Sequence, residues 1–205
     1  MIKIITQVGL ILVLSIILAG CQKDEEQKIR NQSILAGQKD NEVLLQDFTP
    51  DLEIALTNES AGNIPSTVYS GELSVDLDLD GMNDIKFHSF YGMGHPMGSI
   101  VPSQGCQISD ISSKWNIEIC SIPQQLLAKI DKNLEWHILS HEIVLSGYTP
   151  EWNNVPATIS IFSWDEPNLY LAYRMIQSPD TIYGWMGIEI ADYYKLKIKD
   201  TGLVK

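Results

Sequence analysis

The chain has 205 residues, of which 14 are basic and 26 acidic, so its formal net charge is −12. Nucleic acids and anionic membrane surfaces carry charge of the same sign, so this balance argues against a protein that binds either by electrostatic attraction. The hydrophobic share of 44% and the length allow one domain with a sizeable apolar core.

Residues 1–20 are typical of a secretory signal peptide. Lys3 supplies a short basic start, and residues 8–18 form an apolar run that is shorter than the roughly 20 residues of a membrane span. The sequence "LAGC", which ends at Cys21, resembles the lipobox of bacterial lipoproteins. The resemblance implies cleavage before Cys21 and acylation of that cysteine, and an uncleaved anchor helix is the alternative.

Residues 21–46 are predicted to be the acylated cysteine followed by a flexible acidic tether, because they are rich in Gln, Lys, Asp, Glu and Asn. The "QKDEE" at residues 22–26 is similar to the export tag that sends lipoproteins of Bacteroidota to the outer face of the outer membrane. That resemblance implies a protein facing the cell exterior, with the periplasmic face as the alternative. Cleavage leaves 13 basic and 26 acidic residues, so the acyl group on Cys21 would attach the chain to the membrane.

Residues 47–205 are predicted to form one mainly-β domain. "DLEIAL" (51–56) and "ELSVDLDL" (72–79) alternate apolar with polar residues, the period of a half-buried strand. Further short apolar and aromatic segments follow, separated by Pro, Gly, Asn and Asp. This spacing favours an antiparallel β-sandwich, jelly-roll-like in architecture. Near 123–131, Pro123 and the spacing of Leu127 and Ile130 predict one short helix or turn, with a loop that enters a strand as the alternative.

The stretch "DLDLDGMND" (76–84) matches the first nine positions of a calcium loop of the EF-hand type, with Gly81 at the sharp turn. Phe87 stands where such a loop has a bidentate glutamate, so the stretch is not an EF-hand. The pattern predicts a Ca²⁺ site whose shell is completed by water or a distant acid. Its predicted ligands are Asp76, Asp78, Asp80, Met82 and Asp84. The alternative is a hairpin with its acids in solvent.

Two cysteines remain once Cys21 is acylated, namely Cys106 and Cys120. An exported chain enters an oxidising compartment, so the pair predicts a disulfide, with two buried thiols as the alternative. Aromatic residues crowd the C-terminal third. In a β-sandwich most of them are expected in the core, and the alternative is an exposed set that stacks on a sugar. The candidates for such stacking are Trp152, Trp164 and Trp185.

The acid loop, a tryptophan (Trp136 or Trp152), "YLAYRM" with Arg174 and the "YGW" at 183–185 resemble a group of secreted or lipid-anchored Bacteroidota domains without an assigned activity. The resemblance covers roughly residues 65–192, implies fold and envelope location, favours calcium and supplies no catalytic residue. We therefore predict a non-catalytic, lipid-anchored surface module that binds a glycan or a protein or serves as an envelope component. The alternative is a glycan-directed surface hydrolase that uses two carboxylates.

Overall fold

The computed structural model describes residues 33–58, 67–94, 101–120, 122–139, 143–148, 169–192 and 194–205. These ranges contain strands and no helix, which confirms the mainly-β prediction. The strands are β1 (Ser33–Leu35), β2 (Val43–Glu53), β3 (Thr57–Asn58), β4 (Thr67–Val75), β5 (Ile85–Gly94), β6 (Val101–Asp110), β7 (Asn116–Cys120), β8 (Lys129–Asp131), β9 (Trp136–Ile138), β10 (Ile143–Tyr148), β11 (Leu169–Gln177), β12 (Asp180–Ala191) and β13 (Lys195–Val204). None of the described residues belongs to a helix with the length and hydropathy of a membrane span.

The strands form three antiparallel sheets. A five-stranded sheet has the order β10-β6-β5-β4-β3, and a six-stranded sheet has the order β2-β13-β12-β11-β7-β9. The short strands β1 and β8 pair with each other as a separate two-stranded ribbon. The two larger sheets make the sandwich that the strand pattern predicts.

The main core lies between the two larger sheets. The five-stranded sheet contributes Phe87 from β5 and Ile108 from β6, and both side chains are fully buried. The six-stranded sheet contributes Ile117, Leu171 and Met186, which belong to the same apolar cluster. Alternate residues of each strand supply this core, as expected for sheets that pack face to face.

A second apolar layer covers the other face of the six-stranded sheet. Ile34 and Ala36, at and beside β1, pack with Ile130 of β8 against Ala172 and Trp185. Consequently β12 is buried on both faces, and residues 183–188 show no alternation of buried and exposed positions. The "YGW" motif at 183–185 therefore lies inside the structure.

The second layer corrects the predicted tether. Residues 33–46 were assigned to a flexible segment, but β1 and the first part of β2 fall within them. Ile34 and Val43 are 3% and 4% exposed, so this part of the chain belongs to the packed body, which begins earlier than residue 47. Residues 1–32, which hold the signal peptide and Cys21, lie outside the described residues.

Of the short helix or turn predicted near 123–131, the helix is wrong and the turn is present at residues 126–127. The backbones of Gln124 and Tyr170 exchange two hydrogen bonds of 2.9 Å, which tie this segment to β11 instead of closing helical turns. Leu127 has a φ of +62°, a left-handed conformation that ends any right-handed helix. The segment is a loop that leads into β8, which is the alternative that the sequence left open.

Candidate functional site

The acid loop, residues 76–84, connects β4 to β5 and lies beside the connection between β6 and β7. Strand β4 ends at Val75 and β5 begins at Ile85, so all nine residues are irregular and not a tight two-residue turn. Leu77 is 2% exposed and packs into the main core, whereas Met82 is 57% exposed. The buried leucine holds the loop against the end of the sandwich.

Three of the predicted ligands converge. Asp76, Asp78 and Asp84 each offer a carboxylate oxygen, and these oxygens lie within 4.8 Å of one another. Ligands that share one Ca²⁺ at 2.3–2.6 Å are at most about 5 Å apart, so the spacing fits a single ion. Asp80 is not part of this group of carboxylates, whereas the backbone carbonyl of Met82, the ligand atom predicted for that residue, stays a prediction.

Backbone N–H groups of the loop shape this arrangement by donating to its carboxylates. Leu77 N donates to Asp84 Oδ2 at 2.9 Å, and Gly81 N donates to Asp76 Oδ2 at 2.7 Å. Asp80 N donates to Asp78 Oδ1 at 3.2 Å in the same way. Gly81 has a φ of +92°, which lets the chain turn so that its N–H reaches back to Asp76.

The neighbouring connection, residues 111–115, supplies the loop's hydrogen-bond and charge partners. Lys114 Nζ lies 2.7 Å from Asp78 Oδ2 and 3.2 Å from Asp80 Oδ2. Trp115 Nε1 donates to Asp78 Oδ2 at 2.8 Å, and Ser112 Oγ donates to Asp84 Oδ1 at 2.9 Å. Sequence reasoning missed these partners because they lie about thirty residues beyond the acids, and no spacing pattern links the two segments.

The carboxyl groups have different electrostatic environments. Burial acts to raise the pKa of Asp78, but the hydrogen bonds from Lys114 and Trp115 hold that pKa below its ordinary value. Burial raises the pKa of Asp84, whose residue is 3% exposed, and the hydrogen bonds from Leu77 and Ser112 act against the rise. The nearby charges of Asp78 and Asp76 add to the rise for Asp84.

One buried carboxylate oxygen of Asp76, its Oδ1, lacks a hydrogen-bond donor among the described residues. A buried acceptor without a partner is costly, and such atoms in folded proteins commonly face water or an ion. Clustered hard oxygen donors suit Ca²⁺, whereas the loop presents no nucleophile paired with a base.

The predicted disulfide is wrong. Cys106 lies in β6 of the five-stranded sheet and faces the main core, and Cys120 lies in β7 of the six-stranded sheet. In β7 the side chain of Ile119 faces the main core, so that of its neighbour Cys120 points to the opposite face, where it packs in the second layer. Both cysteines are free and buried.

The proposed sugar-stacking tryptophans are not brought together in the described part of the chain. Trp185 is 0% exposed and packs edge-to-face against Tyr170, with ring centroids 5.4 Å apart. It therefore has no free ring face to offer a sugar. Trp152 and Trp164 lie outside the described residues.

Comparison with protein-family models, with curated proteins and with solved structures finds no match for this chain.

Proposed function

We propose that the chain is a non-catalytic β-sandwich module whose acid loop holds Ca²⁺, and that it is displayed on the outer membrane by an acyl group on Cys21. In this role it binds a glycan or a protein or serves as an envelope component. The lipobox-like "LAGC" and the acidic "QKDEE" support the location. Among the described residues, the carboxylate pairs open to the alternative, a surface hydrolase, include Asp47 and Asp200, which are cross-strand partners.

Two observations together carry the calcium proposal: the carboxylates of Asp76, Asp78 and Asp84 converge, and Oδ1 of Asp76 is buried without a hydrogen-bond donor among the described residues. These three carboxylates are the proposed ligands, a narrower set than the five residues of the sequence pattern. Asp80 takes part only if Ca²⁺ replaces the ammonium of Lys114. Three carboxylates within 4.8 Å repel one another, and a divalent cation offsets that repulsion more fully than one lysine can.

Calcium bound here stabilises one end of the sandwich. The loop joins two strands of the five-stranded sheet, and residues 111–115 run from that sheet to β7 of the six-stranded sheet. A cation that fixes the loop against Ser112, Lys114 and Trp115 therefore links the segments at which the two sheets meet. The resulting gain in unfolding free energy is about 2.7 kcal/mol at a hundredfold excess of calcium over its Kd.

Terbium luminescence tests the ion site directly, because Trp115 lies in contact with a proposed ligand. Excitation of tryptophan in the chelator-stripped full chain with added Tb³⁺ should give sensitised terbium emission that Ca²⁺ quenches by displacement. Trp115→Phe should reduce the emission while calcium still protects the fold. Asp76→Asn should lose both the emission and the protection. Emission that is equal in wild type and Asp76→Asn contradicts the site.

The location is tested on intact cells. Cys21→Ala should accumulate as an unprocessed precursor without fatty-acid labelling, and wild-type chain on whole cells should be cut by added protease. Labelling that persists in Cys21→Ala contradicts the acyl anchor. Protection of the wild-type chain until the outer membrane is broken contradicts display on the exterior and favours the periplasmic face.

A further inference from the structure

A pocket of about 270 Å³ lies beside the six-stranded sheet, close to the loop between β1 and β2 and apart from the acid loop. Its polar lining includes Asp200, Lys39, Asp47, Lys199 and Tyr170. The pocket forms where β13 carries a bulge between Ile198 and Asp200, an irregularity often found next to binding sites.

Asp200 is a buried residue in the wall of this pocket. The residue is 6% exposed, and in the sheet register Tyr170, Gly187 and Asp200 lie side by side across three strands. A Cβ at Gly187 would collide with Oδ1 of Asp200 and lie 3.6 Å from the ring of Tyr170. Because glycine occupies this position, the carboxylate and the aromatic ring both reach across β12.

Lys39 provides the charge partner of this buried carboxylate. Its Nζ lies 2.5 Å from Asp200 Oδ2, while its own side chain is 49% exposed. The hydrogen bond and charge of Asp200 raise the pKa of Lys39, so the ammonium stays protonated. The pair thus places a hydrogen-bond acceptor and a donor next to each other at the wall of an open pocket.

We propose that this pocket binds one monosaccharide unit of a glycan through two neighbouring hydroxyl groups. One hydroxyl donates to Asp200, the adjacent one accepts from Lys39, and the C–H face of the sugar packs against Tyr170. The charged lining side chains comprise two lysines and two aspartates, so the pocket favours a neutral polyhydroxyl ligand over a free anion or cation. The inference rests on the proposed glycan-binding role and does not depend on calcium.

The same geometry assigns binding and not hydrolysis to the pocket. Asp47 and Asp200 are direct cross-strand partners, so they project from one face of the sheet with their Cβ atoms about 5 Å apart. Retaining glycosidases hold their two carboxyl groups at a similar separation, so the ion pair of Asp200, and not the spacing, decides between the two roles. Asp200 is paired with Lys39, which suits an acceptor and not an acid that must donate a proton.

The probes are D-glucose, D-galactose, D-mannose and L-rhamnose, titrated into the full chain with saturation-transfer NMR, in calcium and in EDTA. We expect at least one sugar to bind wild type with a Kd on the order of millimolar, and its deoxy analogue, which lacks one hydroxyl of the pair, to bind more weakly. Lys39→Gln and Asp200→Asn should each weaken binding about tenfold or more, because each removes a charged hydrogen-bonding group. The control is Lys197→Gln, in the same strand as Asp200, which breaks only the exposed ion pair with Glu53 of β2 and should bind as wild type does.

Each outcome decides the proposal. Circular dichroism verifies the fold of Asp200→Asn, and Lys39→Gln, whose position is half exposed, remains informative if that variant unfolds. If none of the four sugars binds, the proposed sugar site is contradicted. Binding that is as strong in Lys39→Gln and Asp200→Asn as in wild type contradicts it as well. A longer glycan that binds wild type and both variants equally overturns the pocket but leaves the glycan-binding module standing. Release of reducing ends from a bound oligosaccharide overturns the assignment of binding without hydrolysis.

Discussion

Lys114 places its ammonium 2.7 Å from Oδ2 of Asp78, thirty-six residues away along the chain. This contact gives the acid loop an internal cation and connects it to the segment that crosses between the sheets. Lys114 carries a single positive charge and contacts Asp78 and Asp80. Oδ1 of Asp76 receives no hydrogen bond from any described residue. The loop is therefore only partly neutralised by the protein itself.

Replacing this internal cation separates its two effects. Lys114→Met should lower the melting temperature in EDTA, because Asp78 and Asp80 lose their charge partner. The same variant should bind Ca²⁺ several-fold more tightly, since no ammonium competes for the carboxylate of Asp78, a proposed ligand. Calorimetric titration and melts in EDTA measure the two effects. Unchanged or weaker calcium binding in Lys114→Met contradicts a competition between lysine and calcium.

Packing around the central glycine of the "YGW" motif gives a second prediction. A Cβ at Gly184 would collide with the ring of Tyr173, its direct cross-strand partner. Gly184→Ala should therefore reduce the unfolding free energy by about 1–3 kcal/mol, the usual cost of overpacking. Chemical denaturation measures this loss of unfolding free energy. The same measurement on Tyr173→Leu and on the double variant gives a double-mutant cycle for the pair. Strictly additive losses in that cycle contradict the contact.

Arg174, the arginine of "YLAYRM", makes contacts that lysine cannot reproduce. Its guanidinium lies 4.8 Å from the ring centroid of Trp136 and bonds Glu118 through both Nε and Nη2. Arg174→Lys should cost about 1–2 kcal/mol of unfolding free energy, because lysine loses the planar fork and the stacking. Lys195→Arg, at an exposed pair with Asp192, is the control and should leave the melting curve unchanged. Equal melting of the two variants contradicts a structural role for Arg174.

These motifs show what the sequence could and could not predict. Alternating apolar and polar residues in β4, and the apolar segments of β5, β11 and β12, predict the sandwich. A strand buried on one face alternates apolar with polar residues, and a strand buried on both faces is apolar throughout. The second layer was missed because Ile34, Ala36 and Val43 are sparse apolar positions in a polar segment. Their burial depends on pairing between β1 and β8, nearly a hundred residues apart.

The acid loop illustrates the same limit at the candidate site. Spacing singled out Asp76, Asp78 and Asp84, which the fold brings together, but also Asp80, which it leaves outside the cluster of carboxylates. Sequence spacing orders residues along a loop, whereas the backbone turn at Gly81 decides which side chains converge. The error over Cys106 and Cys120 has a similar origin, since redox compartment says nothing about which sheet face a cysteine occupies.

The two thiols give a prediction with a definite pH dependence. Burial raises the pKa of Cys106 from its ordinary 9.0 to about 12, so the folded state holds this proton where the unfolded state loses it. The stability from this group is fully present below pH 9 and falls as the pH rises from about 9 to about 12, by about 1.4 kcal/mol per unit.

Denaturation at pH 8 to 11 should show this loss in wild type and a smaller loss in Cys106→Ala, because burial also raises the pKa of Cys120, which that variant keeps. Thiol titration without reductant should give two thiols for Cys106 and Cys120 after unfolding, and slow reaction of both in the native protein, where both are buried. A native mass two hydrogens below the reduced mass contradicts the free thiols.

The most direct test of the calcium site compares two neighbouring aspartates that the sequence pattern treats alike. Asp76 belongs to the converging cluster and Asp80 does not. Melting temperatures are measured in millimolar calcium and in EDTA for wild type, Asp76→Asn and Asp80→Asn. We predict that calcium raises the melting temperature of wild type and of Asp80→Asn, and that Asp76→Asn loses most of this rise. Melting temperatures of wild type that coincide in calcium and in EDTA would contradict the account.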